Sequence, residues 1–140
     1  MATVRFPGGP TVDAVGIRDR WPDKPGRDYG FYLNARWAPT WHADVIEWED
    51  YGLPAEPEAT AEAIRDAFSR AEQGQRIEVG CIGGLGRTGT VLACMAILAG
   101  IAPGQAVEWV RNHYDPAAVE TSAQEDWVLW FAGYMRRNPL

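Results

Sequence analysis

The chain has 140 residues, of which 46% are hydrophobic and 23% are charged, values typical of one globular domain with a substantial core. Its net charge of −6 argues against nucleic acid or an anionic membrane as the main partner, and no apolar run approaches the roughly eighteen residues of a membrane span. The two cysteines and the lack of a basic-then-apolar leader at the N-terminus favour a reducing compartment, and we expect a cytoplasmic protein.

Short apolar or alternating segments predict four strands in the first half of the chain, followed by a fifth before a glycine-rich loop. The predicted strands are residues 2–6, 11–17, 31–33, 43–48 and 76–82. The intervening residues 18–30 are rich in Arg, Asp, Pro and Gly, a composition that indicates a loop.

Helical periodicity dominates the second half. An apolar stripe predicts a helix over 58–72, with Gly74 as its stop. A wholly apolar helix follows the glycine-rich loop and ends at Gly100. Pro103 is expected to open a third helix, and Thr121 or Ser122 to cap a fourth. The pattern predicts a single α/β domain over residues 1–140, with a central, mostly parallel sheet of four or five strands and helices on both faces.

The segment Gly80–Thr90 places Cys81 and Arg87 on either side of a loop with three glycines, between a buried strand and a buried helix. The first N–H groups of a helix lack intrahelical partners and carry partial positive charge, so such a loop can bind a tetrahedral anion. A helix N-terminus and a guanidinium both favour a reactive thiolate. The guanidinium can also bind two phosphoryl oxygens at once. These features predict attack of sulfur on a phosphoryl group.

Other interpretations of this segment are possible. A cysteine on a strand can be a small buried hydrophobe. Residues 84–89 also match the dinucleotide pattern G-x-G-x-x-G, but no acidic residue ends a second strand about twenty residues later. The ATP-loop pattern fails because the lysine is missing.

Residues Cys81–Thr88, followed by Gly89, resemble the signature loop Cys-x5-Arg-Ser/Thr of the protein-tyrosine and dual-specificity phosphatase superfamily, in the form of a small bacterial-type member. The resemblance implies a single-domain cysteine-phosphatase fold, with Cys81 as nucleophile and Arg87 as phosphate clamp. It implies that the Thr88 hydroxyl stabilises the departing thiolate. It also implies a phosphate-binding loop formed by Ile82, Gly83, Gly84, Leu85, Gly86 and Arg87.

The same family uses an aspartate as general acid, on a loop of the form Trp-Pro-Asp-x-Gly-x-Pro about thirty residues before the cysteine. The segment Trp48–Pro54, which we call the acid loop, is similar to this pattern except for the first proline, and Asp50 stands thirty-one residues before Cys81. The resemblance therefore implies Asp50 as the acid. A turn-forming aspartate is the alternative. The literal Trp-Pro-Asp at residues 21–23 lies too far upstream, which argues against Asp23.

The family also uses a glutamine to orient the hydrolytic water, within a run such as Pro-x-Ala-x-Glu-Thr-x-x-Gln. Residues 116–124 are similar to this run. The resemblance implies that Gln124 orients the water and that Glu120 braces the loop. An exposed first-turn residue is the alternative for Gln124.

Two positions depart from the family pattern. Gly80 replaces the histidine that usually precedes the cysteine, which puts the activation of Cys81 in question. Ile82 and Leu85 replace the lysines of relatives that take inositol phospholipids, which favours a phosphoprotein substrate. Cys94 is expected to be a packed core thiol, and Tyr29 and Tyr32 are candidates either for the wall of the substrate entrance or for packing.

These features predict a metal-independent and cofactor-independent phosphatase that hydrolyses phosphate monoesters, above all protein phosphotyrosine or with dual specificity, through a cysteinyl-phosphate. Phosphate-like oxyanions are expected to inhibit it, and its partners are expected to be phosphorylated proteins or peptides rather than nucleic acid or membrane. A catalytically weak or inactive module that binds phosphotyrosine or another phosphate group is the alternative. A sulfur-transfer or arsenate-reducing enzyme is a third class, against which the acid loop and Gln124 argue.

Overall fold

Five strands and four helices are present in residues 2–16, 27–34 and 39–140, the part of the chain that the computed structural model describes. The strands are β1 (Ala2–Arg5), β2 (Thr11–Gly16), β3 (Tyr29–Tyr32), β4 (Ala43–Val45) and β5 (Ile77–Cys81). The helices are α1 (Pro57–Glu72), α2 (Gly86–Leu98), α3 (Ala106–His113) and α4 (Ser122–Arg137), and a single 3-10 turn, Pro103–Gln105, precedes α3.

The strands form one sheet in the order β1-β2-β5-β3-β4. The hairpin β1–β2 is antiparallel, and the pairs β2–β5, β5–β3 and β3–β4 are parallel. The middle strand β5 ends at Cys81, which pairs with Gly16 at the end of β2. In open α/β sheets, ligands bind beyond the carboxyl ends of the strands. Cys81 therefore lies at the edge of the sheet where a ligand site is expected.

Helix α2 is the centre of the helical part, because it contacts α1, α3, α4 and β5. All of its residues from Gly86 to Ala96 are buried, as its apolar sequence predicts. The predicted stripe of α1 is also buried: Ala61, Ile64, Ala67, Phe68 and Ala71. Gly74 and Gly100 follow the ends of α1 and α2 with φ angles of +89° and +106°, which glycine adopts without strain.

A buried polar cluster lies on the sheet face that Glu78 and Tyr32 share. The Tyr32 hydroxyl donates to Glu78 Oε1 at 2.6 Å and accepts from Trp41 Nε1 at 2.8 Å. Arg27 Nε lies 3.3 Å from the same Glu78 oxygen, with its guanidinium 4.0 Å above the Trp41 ring. A buried carboxylate is tolerated when it is paired in this way, so the cluster anchors β3 to β5.

The predicted α/β class, single domain and mostly parallel sheet flanked by helices are confirmed. The strand predicted at 43–48 is shorter, because after Val45 the chain turns into the acid loop and Trp48 forms an isolated bridge with Pro54. The third helix begins at Ala106 rather than Pro103 because its first turn is 3-10. Among the described residues, no helix combines the length and hydrophobicity that crossing a bilayer requires. Most of the predicted loop at 18–30 lies outside the described residues, as does Asp23.

Candidate active site

The thiol of Cys81 lies at the base of the glycine-rich loop and is 2% exposed. Its sulfur accepts a hydrogen bond from the Gly84 N–H at 3.2 Å and another from the Thr88 hydroxyl at 3.0 Å. Both donors would stabilise negative charge that develops on the sulfur. We call the segment Cys81–Thr88 the cradle.

Two glycines let the cradle approach its neighbours closely. Gly84 has a φ of +76°, and a Cβ on it would lie 3.0 Å from the backbone nitrogen of Gly16. A Cβ on Gly86 would lie 2.1 Å from Glu120 Oε1. At Gly84 a larger side chain would therefore strain the backbone and press on β2. At Gly86 it would displace the Glu120 side chain.

Arg87 is 4% exposed and holds the two loops together. Its Nη1 donates to the carbonyl oxygens of Leu33, at 2.9 Å, and Trp48, at 2.7 Å. Its Nη2 lies 3.7 Å from Asp50 Oδ1, and its buried Nε has no hydrogen-bond partner among the described residues. A buried N–H without a partner is costly, so this edge of the guanidinium is available to donate to a further acceptor.

The acid loop closes on itself and packs against α4. Trp48 Nε1 donates to the Gly52 carbonyl at 2.8 Å, and the Trp48 ring lies 5.5 Å from that of Trp127. These contacts fix the ends of the loop and leave its tip in solvent, where the Asp50 side chain is 59% exposed. Asp50 thus stands at the mouth of the cleft, beside Arg87.

Two residues with unusual backbone angles flank the cradle. Tyr51 has a φ of +61° and Val119 a φ of +62°, and they are the only non-glycine residues with positive φ in the described part of the chain. This conformation is rare for a β-branched residue and costs energy. Arg111 holds the Val119 segment by donating to the carbonyl oxygens of Ala118, at 2.9 Å, and Val119, at 2.8 Å. Tyr51 adjoins Asp50, the expected acid, and Val119 adjoins Glu120, which was expected to brace the loop.

Gln124 is completely buried and links α4 to the acid loop. It forms a capping box with Thr121: the Gln124 N–H donates to Thr121 Oγ1 at 3.1 Å, and Gln124 Oε1 accepts from the Thr121 N–H at 3.3 Å. Its Nε2 donates to the Gly52 carbonyl at 3.3 Å. The alternative of an exposed first-turn residue is therefore wrong.

A cavity of about 170 Å³ lies over the cradle. Its lining residues are Cys81, Ile82, Gly83, Leu85, Gly86, Asp50, Tyr51 and Glu120. A second cavity, of about 430 Å³, shares Asp50, Ile82 and Arg87 with the site and extends along Asn34 and residues 47–49. The structure therefore brings Cys81, the cradle and Asp50 around one cleft.

Residues 35–128 match the model described as "PTP-SAK: Swiss Army Knife protein, DSP-PTPase phosphatase domain". The chain belongs to this family. The expected membership of the protein-tyrosine and dual-specificity phosphatase superfamily is thereby confirmed.

Relatives of this PTP-SAK domain include two uncharacterized proteins of Methanocaldococcus jannaschii. MJ0215 is 35% identical over 119 residues, which cover 76% of this chain and 71% of the relative. MJECL20 is 37% identical over 109 residues, which cover 69% of this chain and 71% of the relative.

Two solved structures of phosphatases resemble the PTP-SAK domain in fold. Kinase associated phosphatase, with its catalytic-site cysteine replaced by serine, has a TM-score of 0.68 at 20% identity and covers 79% of this chain and 71% of its own. Human DUSP28 has a TM-score of 0.67 at 14% identity and covers 97% of this chain and 99% of its own.

Several other candidate residues from the sequence belong to the core rather than to the cleft. Cys94 is completely buried, and burial raises the pKa of its thiol well above the ordinary value, so it remains an uncharged core thiol. Tyr29 and Tyr32 are buried and line neither cavity of the site, so they pack rather than form the entrance. In the described part of the chain, no three metal-ligating side chains gather as a metal site would require.

The sequence interpretation missed two tyrosines at the site. Tyr51 lies at the cavity mouth with 62% of its surface exposed, and Tyr114 donates from its hydroxyl to the Gly84 carbonyl. Tyr51 occupies a variable position of the acid-loop pattern, where only its nearness to Asp50 could have indicated a role. Tyr114 reaches the cradle across the fold, from thirty residues away in the chain.

Proposed function

We propose that the protein is a cysteine-dependent phosphatase that hydrolyses phosphate monoesters, with phosphotyrosine in proteins or peptides as the preferred substrate and dual specificity as the broader possibility. The proposal refines what family membership shows, a phosphatase domain of the dual-specificity type. It assigns Cys81 as nucleophile, Arg87 as clamp, Asp50 as general acid, Thr88 as the thiolate stabiliser and Gln124 as the residue that orients water.

The observation that carries the proposal is the environment of Cys81 Sγ. The sulfur accepts from the Gly84 N–H and the Thr88 hydroxyl at the base of the cavity. Beside it, Arg87 is fixed through Nη1 while its buried Nε has no described partner. A phosphoryl group in the cavity would meet the nucleophile below, backbone N–H groups around it and a cation at its edge.

In the first step, the Cys81 thiolate attacks phosphorus and forms an S–P bond while the P–O bond to the leaving group breaks. Asp50, in its protonated form, gives its proton to the leaving oxygen. The Nε edge of Arg87 and the cradle N–H groups stabilise the phosphoryl oxygens in the transition state. The product alcohol leaves, and a cysteinyl-phosphate remains.

In the second step, a water attacks phosphorus and the Asp50 carboxylate accepts its proton. The S–P bond breaks, inorganic phosphate leaves, and the Thr88 hydroxyl donates to the returning thiolate. Gln124 Oε1 is engaged by the backbone N–H groups of Glu120 and Thr121, at 2.9 and 3.3 Å. The amide nitrogen, which also contacts the acid loop, is therefore the group that would orient the water.

The cavity supports an aryl phosphate on a protein better than a polyanionic lipid headgroup. Ile82 and Leu85 bring no positive charge to the cavity, while Asp50 and Glu120 bring negative charge. The exposed Tyr51 ring stands at the mouth, where it can pack against a phenol ring. We also propose that the protein acts in the cytoplasm, as the sequence predicts.

A second candidate function is binding of phosphate groups without turnover. Gly80 is the observation that favours it, because the position offers no histidine side chain to support the thiolate. Under this alternative, the protein would bind phosphotyrosine or tungstate in the cradle and release it unchanged.

Hydrolysis of p-nitrophenyl phosphate without added metal, with and without vanadate, separates the two functions. The phosphatase proposal predicts turnover that vanadate suppresses. Tungstate or phosphate binding with no turnover would support the binding module and contradict the phosphatase. Turnover of equal rate in wild type and Cys81→Ser would contradict the proposed nucleophile.

A further inference from the structure

The Tyr114 side chain contacts the backbone of the cradle at Gly84. Its hydroxyl donates to the carbonyl oxygen of Gly84, while the N–H of the same glycine donates to Cys81 Sγ at 3.2 Å. One residue of the cradle is therefore held at both ends, by the nucleophile on one side and by Tyr114 on the other. Tyr114 is not among the residues that line the cavity.

The direction of the Gly84 carbonyl decides the direction of the next N–H group. In a trans peptide the C=O of one residue and the N–H of the next point in opposite directions. No cis peptide is present in the described part of the chain. Because the Gly84 carbonyl points to Tyr114, the Leu85 N–H points the other way, and Leu85 lines the cavity.

Gly84 is also the position at which this peptide could rotate most easily. Rotation of the peptide between Gly84 and Leu85 changes ψ of Gly84 and φ of Leu85, and glycine, which has no Cβ, tolerates a wide range of ψ. If the peptide rotated, a carbonyl oxygen would replace an N–H at the anion site and repel phosphate. A hydrogen bond to the Gly84 carbonyl opposes this rotation.

We propose that Tyr114 is a positioning residue that holds the peptide between Gly84 and Leu85 in the orientation that binds phosphate. The proposal rests on the phosphatase function proposed above and deepens it. Tyr114 acts through the backbone of the cradle, by its hydrogen bond to the Gly84 carbonyl. Its role is to keep the anion site formed before a substrate arrives.

The end of α3 holds Tyr114 firmly in place for this role. The Tyr114 N–H donates to the Val110 carbonyl at 2.8 Å, and Pro116 prevents the helix from continuing. Asp115 then forms a turn, with its Oδ1 accepting from the Ala117 N–H at 2.8 Å. The tyrosine thus projects from a fixed helix end rather than from a free loop.

The Tyr114 hydroxyl remains a donor over the working pH range. Burial, and after it the negative charge of Cys81 and Asp115, raise the pKa of Tyr114 to about 12. The raised pKa means that the folded state favours the protonated phenol, and this contribution is complete below about pH 10 and is lost as the pH rises towards 12. The contact therefore persists at neutral pH.

The test compares Tyr114→Phe with Tyr134→Phe. Each variant removes one hydroxyl and keeps the ring, but the Tyr134 hydroxyl donates to Glu62 on α1 at 2.8 Å, far from the cradle in the fold. Three kinds of measurement are made: kcat and KM for p-nitrophenyl phosphate, the inhibition constant of inorganic phosphate, and the amide NMR signals of Gly84 and Leu85 with and without tungstate.

For Tyr114→Phe we expect kcat/KM to fall about tenfold or more, because a lost hydrogen bond leaves a carbonyl unpaired. The inhibition constant of phosphate should rise by a similar factor, because ground state and transition state use the same N–H groups. The Gly84 and Leu85 signals should shift or broaden in the free variant and return towards wild type with tungstate. Tyr134→Phe should change none of these.

Two results for Tyr114→Phe would together overturn the proposal: an inhibition constant of phosphate within twofold of that of wild type, and Gly84 and Leu85 amide signals at the wild-type positions. So would equal losses in both variants, which would indicate a general loss of stability. The NMR and tungstate measurements need no turnover. If the wild type proved inactive, the phosphatase proposal would fail while the role of Tyr114 in anion binding would still be tested.

Discussion

Cys81 and Thr88 lie at the bottom of the cleft with at most 2% of their surface exposed, whereas the Asp50 side chain, across the same cleft, is 59% exposed. The cradle is fixed by the central strand β5 and the buried helix α2. The acid loop is a surface segment attached through Arg87, Trp48 and Gln124. The proposed nucleophile is thus part of the core, and the proposed acid is held against the core by a few contacts.

The difference follows from what each group must do. A thiolate needs fixed donors and little water, which a buried strand-to-helix turn supplies. A general acid must reach a leaving group of variable size and exchange protons with solvent, which requires a loop at the mouth. Substitutions in the cradle should therefore abolish catalysis with every substrate. Substitutions in the acid loop should change how strongly the rate depends on the leaving group of the substrate.

The largest effect is expected from Cys81→Ser. Serine keeps the shape of the site but is a far weaker nucleophile, so turnover of p-nitrophenyl phosphate should fall by at least about 10⁴-fold. Tungstate binding, measured by calorimetry, should survive. Cys94→Ser is the matched control and should keep the activity, because burial keeps that thiol uncharged and away from the site. Loss of activity in both variants would contradict a single nucleophile.

Arg87→Lys tests the contact between the cradle and the acid loop. Lysine keeps the charge but loses the planar fork, so kcat/KM should fall by about 10²- to 10³-fold. The contacts to the Leu33 and Trp48 carbonyls would be lost as well. Hydrogen exchange in the acid loop should therefore accelerate.

The control for this substitution is Arg70→Lys, which affects a surface pair with Asp66. Activity at the level of wild type in Arg87→Lys would contradict the clamp. Unchanged exchange in the acid loop would contradict its attachment through Arg87.

Asp50→Asn should separate good from poor leaving groups. Phenyl phosphate needs a proton on its departing oxygen, so its kcat should fall by about 10²-fold or more. The p-nitrophenyl ester should be affected much less. Glu49→Gln changes the neighbouring exposed carboxylate and should affect both substrates equally and slightly. An equal loss on both esters in Asp50→Asn would count against the acid role.

The smallest effect is expected from Gln124→Ala. Loss of the capping box and of a completely buried side chain should lower the free energy of unfolding by about 2–3 kcal/mol. Turnover should fall severalfold because the water and the acid loop are less well placed. Gln73→Ala, at the exposed end of α1, serves as control. Release of phosphate from the intermediate should slow more than its formation, as a burst of nitrophenol would show. A burst no larger than that of wild type would contradict the role in the second step.

The sequence predicted the parts of the site that depend on neighbours along the chain. Cys81, Gly84 and Arg87 lie within seven residues, and the strand before them and the helix after them have clear patterns. The spacing to Asp50 could be predicted because the family resemblance supplied it. The ends of α1 and α2 followed from Gly74 and Gly100.

Contacts made through the backbone could not be predicted in this way. Arg87 binds the carbonyls of Leu33 and Trp48, and Tyr114 binds that of Gly84. Every residue has a carbonyl, so the sequence contains no signal for such a partner. The strand order β1-β2-β5-β3-β4 likewise depends on pairing between distant segments. Gln124 was assigned to catalysis by resemblance alone, and its burial within a capping box became visible only in the fold.

The most direct test of the account is to identify the covalent intermediate. A reaction with p-nitrophenyl phosphate is quenched in acid during turnover, and the peptides are analysed by mass spectrometry. We expect one phosphoryl group on Cys81 and none on Cys94, with loss of the label in Cys81→Ser. Steady turnover with unmodified Cys81, or a phosphoryl group on another residue, would contradict it.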